Sequence, residues 1–338
     1  MRFENVSIAS VAHLDAPHRI TSQSLAERLA PTLDRLEVRP ELLERISGIV
    51  ARRFWDEGDQ PSDVSTRAAE KAIESAGIDR QSIGVLVNTS VCRDFIEPSV
   101  ACMVHGNLGL SAECLNFDLG NACLAFLNGM DMVGNMIERG QIDYGLVVDG
   151  ESSRFITEST IERLLDESTD EATFRSHFAA LTLGSGAAAM VLGRSDLLPD
   201  GHRYLGGINM AATQHNKLCQ GQVDSMVTDT KRLLFAGLEL AARTFARCCQ
   251  ELDWRPDKFD QLVLHQVSKV HTEQLVATLG LDLEKTYAIY PEYGNIGPAS
   301  VPIVLSKIAE EGRLKPGSRI ALMGIGSGLN CAMAEVVW

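Results

Sequence analysis

Residues 115–126 read LNFDLGNACLAF, a strand-like run that leads through a Gly-Asn turn into a long apolar segment. Cys123 therefore lies where a strand joins a helix, which we expect to extend over residues 122–139. This helix is apolar on nearly every side, so it should lie in the centre of the protein. Unpaired N–H groups and the dipole at a helix start favour a negative charge. We therefore expect the pKa of Cys123 to be lowered and its thiolate to be a nucleophile.

Strand-like and helix-like segments alternate along the whole chain, which is typical of an α/β protein with a largely parallel sheet. Apolar spacing predicts helices over residues 66–76 and 233–252, and buried strands over residues 83–88 and 144–149. The two halves resemble each other, because in each a helix leads into an apolar strand and a run of small residues closes the half. We therefore predict two similar α/β halves, residues 1–195 and 196–338, whose strands end at a shared crevice.

Residues 155–178 interrupt this alternation. The segment is helical in character and charged on one side, with Phe155, Leu164 and Phe174 among the apolar residues on the other side. It is either a surface excursion packed by its own apolar face, or the wall of an apolar ligand channel or of a subunit interface.

His265 ends the apolar run 262–264, and Asn295 lies in a glycine-rich loop. Each alone is typical of an ordinary core histidine or turn asparagine. Together with Cys123 they form a candidate site for covalent acyl transfer. His265 would donate from Nε2 to a thioester oxygen or help deprotonate Cys123, and Asn295 would be a second donor to that oxygen. Gly328, in a turn between two apolar strands, would complete an oxyanion hole with the Cys123 N–H.

The chain has 338 residues and a net charge of −14, so it lacks the basic surface that nucleic acids need, and anionic membranes should repel it. No apolar run is long enough to span a bilayer or to form a signal peptide. We therefore expect a cytoplasmic protein whose eight cysteines are reduced. No C-x-x-C pair indicates a zinc site. An anionic ligand would need a local basic patch, for which the candidates are Arg45, Arg52, Arg53 and Lys217.

Motifs along nearly the whole chain resemble the thiolase superfamily, on its ketoacyl synthase III side. They are Ser47-Gly48-Ile49 with Arg52-Arg53, Ala76-Gly77-Ile78-Asp79, the Cys123 segment, His265-Gln266, Tyr293-Gly294-Asn295 with Ala299-Ser300, Glu311-Gly312-Arg313-Leu314-Lys315-Pro316-Gly317, and Gly326-Ser327-Gly328-Leu329. The resemblance implies a homodimer of five-layered αβαβα subunits. It also implies that Cys123 is acylated, that His265 and Asn295 hold the second thioester carbonyl, and that coenzyme A thioesters are substrates with no metal or redox cofactor.

Two positions depart from the ketoacyl synthase III pattern. Those enzymes usually read His-Gln-Ala-Asn, whereas this chain reads His-Gln-Val-Ser from His265, and Glu97 replaces the aromatic residue that usually precedes Pro-Ser. HMG-CoA synthases also carry glutamate there. Glu97 is therefore a candidate base for removing a thioester α-proton, if an apolar site raises its pKa. In this fold the loop reaches across the dimer interface, so the base would come from the partner subunit. A solvated loop carboxylate is the alternative.

The pattern is most similar to the head-to-head acyl-CoA condensing enzymes of long-chain olefin biosynthesis. That resemblance implies a non-decarboxylative Claisen condensation of two long-chain acyl-CoA molecules to a 2-alkyl-3-oxo acid, with other enzymes of the pathway as candidate partners. One alternative is a ketoacyl synthase III that condenses acyl-CoA with a malonyl-carrier protein. Another is a non-catalytic subunit that binds acyl-CoA.

Overall fold

The structure is a computed structural model that describes residues 1–338 without gaps. The strands are β1 (Val6–Asp15), β2 (His18–Thr21), β3 (Ala51–Phe54), β4 (Ile83–Asn88), β5 (Leu115–Asp118), β6 (Tyr144–Glu151), β7 (Gly186–Arg194), β8 (His202–Ala211), β9 (Cys219–Gly221), β10 (Met226–Thr228), β11 (Gln261–Leu264), β12 (Arg319–Gly326) and β13 (Asn330–Val337).

The helices are α1 (Ser22–Arg28), α2 (Ala30–Arg35), α3 (Leu42–Ser47), α4 (Pro61–Ala76), α5 (Val100–Leu108), α6 (Ala125–Glu138), α7 (Arg154–Leu164), α8 (Glu171–His177), α9 (Thr230–Glu251), α10 (Lys269–Thr278), α11 (Tyr290–Tyr293) and α12 (Ser300–Glu310). None of them combines the length and the apolar character needed to cross a membrane.

The two halves of the chain form half-sheets with the same topology. The first has the order β5-β4-β6-β7-β1, and the second has the order β11-β12-β13-β8. In both, one antiparallel strand, β7 or β13, separates the parallel strands from the strand that joins the other half-sheet, β1 or β8. A parallel bridge between Leu262 and Thr286 takes the place in the second half that β5 has in the first. Two residue pairs between β1 and β8 join the half-sheets, and the predicted division at residue 195 falls between β7 and β8.

Apolar packing arranges these elements in five layers. Helices α6 and α12 lie between the half-sheets and share one core with both of them. Helices α4 and α5 cover the outer face of the first half-sheet, and α9 and α10 cover that of the second. The predicted five-layer α/β architecture is therefore what the chain adopts.

Helix ends differ from the sequence predictions for local reasons. Helix α4 begins at Pro61 rather than at residue 66, because proline fits the first helical turn and Gln60 and Asp63 form a capping box there. Helix α6 begins at Ala125 rather than at residue 122, because Ala122 has a φ of 45°, which an α-helix cannot accommodate. A 3₁₀ turn, Ala122–Leu124, therefore carries Cys123.

The segment 155–178 forms most of α7 and all of α8, which pack on α1, α2 and α3. Leu164 and Phe174 are buried in this contact, whereas Phe155 and Leu165 are exposed. The segment is thus one side of a helical cap, and its apolar face packs against the other side, which comes from residues 22–47.

Candidate active site

The turn that carries Cys123 follows β5 and packs against glycines of β12. A Cβ atom on Gly324 would lie 2.6 Å from the Leu124 side chain and 3.5 Å from the Cβ of His265, so this glycine lies between the cysteine turn and that histidine. A Cβ atom on Gly326 would lie 3.4 Å from the Cys123 nitrogen. The same turn also packs against the turn Gly297–Ala299 that follows Asn295. The structure therefore brings together Cys123, His265 and Asn295.

The thiol of Cys123 is less acidic than the sequence analysis predicts. Burial raises its pKa to about 12, and the neighbouring Cys219 and Glu151 add to the effect. The prediction of a lowered pKa is wrong because α6 begins two residues later, so the helix start does not face the sulfur directly, and desolvation dominates. The resting thiol is protonated at neutral pH.

His265 lies at the end of β11, where its backbone N–H donates to the Met323 carbonyl of the parallel strand β12 at 2.8 Å. The side chain is 1% exposed, and neither ring nitrogen has a hydrogen-bond partner in the protein. Burial, with a smaller contribution from His271, lowers the pKa of His265 to about 3, and the adjacent backbone of Gly297 opposes this shift. The ring is therefore neutral, with one N–H available to a ligand and little capacity to take a proton from a thiol.

The next residue fixes the direction of the loop beyond His265. The Gln266 side chain accepts hydrogen bonds from the N–H groups of Ile289 and Tyr290 and donates to the Tyr287 carbonyl at 2.6 Å. It thereby ties the end of β11 to the segment that leads to Asn295.

The backbone of Asn295 is held by the first half of the chain. Its N–H donates to Thr182 at 2.9 Å, and its carbonyl accepts from the N–H of Gly184 at the same distance. A Cβ atom on Gly184 would lie 1.8 Å from the Tyr293 carbonyl oxygen, so this approach requires glycine. The Oδ1 atom of Asn295 accepts a hydrogen bond from the Gly297 N–H at 3.0 Å. The side-chain amide nitrogen of Asn295 is therefore the group that can donate to a ligand.

Glu151, a buried acid at the end of β6, also lies in this region and is not among the residues predicted from the sequence. The strand runs two residues past its predicted end at 149, and Glu151 accepts the Val91 N–H at 2.6 Å. A Cβ atom on Gly297 would lie 3.6 Å from the Glu151 carboxyl carbon, so this group lies beside the loop that carries Asn295. Burial raises the pKa of Glu151 to about 7. In the sequence, the position of this acidic residue directly after an apolar strand indicates a candidate site residue.

Replacing Glu151 by glutamine should change the pH dependence of stability. Because the folded-state pKa lies above that of the unfolded chain, the free energy of unfolding falls as pH rises from about 4.5 to about 7. The variant should therefore gain about 1–3 kcal/mol over wild type at pH 8 and much less at pH 5. Urea unfolding at the two pH values measures this, with exposed Glu70→Gln as control. An equal difference at both pH values would show that Glu151 does not titrate in this range.

Glu97 is exposed, in the loop between β4 and α5, and does not join the other three residues within the subunit. The ends of its loop are fixed, since Asp94 accepts the Ser62 N–H at 3.0 Å and Asp118 accepts the N–H groups of Val100 and Ala101. Beside Glu97, Ile96 is 90% exposed. The loop therefore presents both an apolar side chain and a carboxylate on the surface.

Gly328 lies in the turn between β12 and β13, with a φ of 142°. The glycine that contacts the Cys123 nitrogen is Gly326, as described above. The role of Gly328 as a donor stays a prediction.

The basic candidates separate into two groups. Arg52 is fully buried, where its guanidinium donates to the Ser22 hydroxyl at 3.0 Å, so its prediction as a coenzyme A ligand is wrong. Burial lowers its pKa to about 10. Arg53 is half-buried, and its guanidinium lies 5.0 Å from the centre of the Tyr293 ring. Arg45 and Lys217 are exposed and remain candidates.

Two family models match the chain. Residues 117–206 match 3-oxoacyl-[acyl-carrier-protein] synthase III, and residues 249–338 match the C-terminal part of the same enzyme. Curated relatives include two acyl-CoA:acyl-CoA alkyltransferases. That of Xanthomonas campestris pv. campestris is 56% identical over 338 residues, and that of Shewanella oneidensis is 37% identical over 350 residues, with both chains covered completely in each case.

Solved structures of Xanthomonas campestris OleA are similar over the whole chain. The cerulenin-bound structure has a TM-score of 0.99 and 56% identity, and the comparison covers 100% of this chain and 98% of the other. A cysteine-to-serine variant with bound lauric acid and lauroyl-CoA has a TM-score of 0.98 and 56% identity, with 99% and 100% covered.

Proposed function

We propose that this chain condenses two long-chain fatty acyl-CoA molecules without decarboxylation, because it belongs to the acyl-CoA:acyl-CoA alkyltransferase (OleA) family of thiolase-type acyltransferases. The product is a 2-alkyl-3-oxo acid, and the reaction is the first step of long-chain olefin biosynthesis. The observation that carries the proposal is the meeting of Cys123, which follows β5, with His265, which follows β11, and with the loop that carries Asn295. The full-length identity of 56% to a named alkyltransferase supports it.

In the first half-reaction, the Cys123 sulfur attacks the thioester carbonyl of one acyl-CoA. The carbon–sulfur bond to coenzyme A breaks, the thiol proton leaves with coenzyme A, and the acyl group stays on Cys123. Because the resting thiol is protonated, it has to lose its proton before or during the attack. Charge on the carbonyl oxygen is held by the Cys123 N–H and, in this proposal, by that of Gly328.

In the second half-reaction, the thioester oxygen of another acyl-CoA lies between His265 and Asn295. The neutral, unpartnered His265 ring and the free amide nitrogen of Asn295 both suit a hydrogen-bond donor role at that oxygen. Glu97 removes the α-proton, the carbanion attacks the acyl group on Cys123, and the Cys123 thiol is released. Hydrolysis of the remaining thioester consumes one water and releases the second coenzyme A.

Glu97 acts, in this proposal, from the partner subunit of a homodimer. A residue that completes the site of a partner subunit has to be exposed on its own subunit, and Glu97 is exposed next to the exposed Ile96. Solved Xanthomonas structures carry substitutions at a glutamate, a cysteine and a histidine whose separations along the chain equal those of Glu97, Cys123 and His265. That correspondence supports the choice of these three residues.

Exposed basic residues would hold the anionic part of coenzyme A. Arg45 lies in α3 of the helical cap, and Lys217 precedes the hairpin of β9 and β10. Both are exposed, whereas Arg52 is enclosed and Arg53 lies against Tyr293.

Turnover with lauroyl-CoA alone tests the proposed reaction. We expect two molecules of free coenzyme A for each 2-alkyl-3-oxo acid or derived ketone, measured by thiol titration and mass spectrometry. Adding a malonyl-carrier protein should change neither rate nor product. If condensation appears only with the malonyl thioester, the decarboxylative synthase is the correct assignment. Coenzyme A release without a condensed product would exclude both.

A further inference from the structure

A chain of side-chain amides runs from a buried carboxylate to the turn that carries Cys123. Each amide nitrogen donates to the oxygen of the next side chain, at distances between 2.6 and 3.0 Å. In the direction of donation the chain is Asn330 to Asn121 to Asn128 to Asn209 to Asp131, and Tyr204 also donates to Asp131. The asparagines line a crevice of about 380 Å³ beside α6.

The far end of the chain determines how every amide is oriented. Asp131 is 4% exposed and accepts from the Tyr204 hydroxyl at 2.7 Å and from Asn209 at 2.8 Å. A carboxylate only accepts hydrogen bonds, so Asn209 must turn its nitrogen towards Asp131 and its oxygen towards Asn128. Each amide in the chain is oriented by the next one in the same way, so the Asn330 side-chain nitrogen must donate to the Asn121 oxygen.

The near end joins the two turns that meet at the nucleophile. Asn121 precedes Ala122, whose φ of 45° is unfavourable for a residue with a side chain. A Cβ atom on Gly326 would lie 3.4 Å from both the Asn121 carbonyl oxygen and the Cys123 nitrogen. A Cβ atom on Gly328 would lie 2.7 Å from the Asn330 amide nitrogen. The Asn330–Asn121 hydrogen bond, 2.9 Å long, therefore spans the junction of the cysteine turn and the glycine turn.

We propose that Asn121 and Asn330 are positioning residues that hold the Cys123 and Gly328 N–H groups in the geometry that stabilises the oxyanion, with Asn128, Asn209 and Asp131 fixing their orientation. This inference rests on the proposed acylation of Cys123. In this role the asparagines act through the backbone donors rather than on the reacting atoms. They increase the rate of acyl transfer by keeping two backbone N–H donors in place. The stabilisation of an oxyanion is sensitive to small displacements of such donors.

The test compares substitutions that keep or remove the donor at residue 330. Asn330→Asp keeps the shape but places an acceptor against the Asn121 oxygen, whereas Asn330→His keeps an N–H at similar reach. The matched control is Asn135→Ala. Asn135 lines the same crevice and lies on α6 with Asn128 and Asp131, but its side chain donates only to the Asp131 backbone and to Met1. The readouts are the burst of coenzyme A release from lauroyl-CoA, the Kd for lauroyl-CoA in a Cys123→Ala background, and the thermal midpoint.

We expect Asn330→Asp to slow the burst by about 10- to 100-fold with an unchanged Kd. Asn330→His should recover most of the rate, and Asn135→Ala should match wild type. If Asn330→Asp does not fold, Asn121→Ala and Asn330→Ala, singly and together, give the same information, and their effects should be strongly non-additive. A burst within twofold of the Asn135→Ala rate, or a loss explained by Kd, would overturn the inference. A wild-type protein without any burst would instead refute the proposed function.

Discussion

Cys123→Ala should abolish coenzyme A release from acyl-CoA, with a loss of at least about 10³-fold, because no other group in the site forms the acyl intermediate. Binding of acyl-CoA should persist, since the substitution removes one sulfur from a half-buried position and leaves the backbone N–H in place. The measurement is acyl-enzyme mass spectrometry after addition of lauroyl-CoA. It should give one acyl group for each wild-type subunit, located on the peptide that contains Cys123.

The neighbouring thiol provides the control. Cys219 is half-buried and contributes to the raised pKa of Cys123, so Cys219→Ala should remain acylated on Cys123. Because the Cys123 thiol is protonated at neutral pH, iodoacetamide should alkylate it slowly, and the alkylation rate should rise steeply towards alkaline pH. Acylation that survives in Cys123→Ala, or that maps to Cys219, would rule out the proposed nucleophile.

Glu97→Ala should separate the two half-reactions. The variant should acylate Cys123 at the wild-type rate, because in the proposed reaction Glu97 takes the α-proton of the second acyl-CoA and has no part in the attack of Cys123 on the first. Condensation should fall by at least about 10²-fold, since a base that removes the α-proton contributes this much. Single-turnover release of coenzyme A and the steady-state yield of condensed product measure the two steps independently.

Two further variants distinguish proton removal from surface charge. Glu97→Gln keeps the size and polarity of the side chain but cannot take a proton, so it should behave like the alanine variant. Glu113→Ala removes another exposed carboxylate from the same half of the chain and should leave both steps unchanged. Loss of acylation in both Glu97 variants would assign Glu97 to the first half-reaction instead.

The sequence predicts the fold and the residues at strand ends because both follow from local patterns. Cys123 follows β5 and His265 follows β11, and parallel strands bring such ends to one edge, whereas Asn295 lies in the loop after α11. The repeated topology of the half-sheets then brings the two edges together.

The errors concern properties that only packing determines. The pKa of Cys123 depends on burial and on Glu151, which is distant in sequence, and both outweigh the helix start. Arg52 and Arg53 look equivalent in sequence, but successive side chains of β3 point to opposite faces, so Arg52 is enclosed. The amide chain from Asn330 to Asp131 joins residues from four separate segments, which no local pattern connects.

Mixed dimers test most directly whether Cys123 of one subunit and Glu97 of its partner form one condensing site. Subunits of Cys123→Ala and Glu97→Ala are each inactive in condensation, and they are combined by unfolding and refolding or by co-expression with two tags. If the site is shared, each mixed dimer regains one intact site, and a statistical mixture should recover about a quarter of the wild-type condensation rate. Activity no higher than that of the separate variants, in dimers shown to contain both subunits, would contradict a condensing site shared between Cys123 and the partner's Glu97.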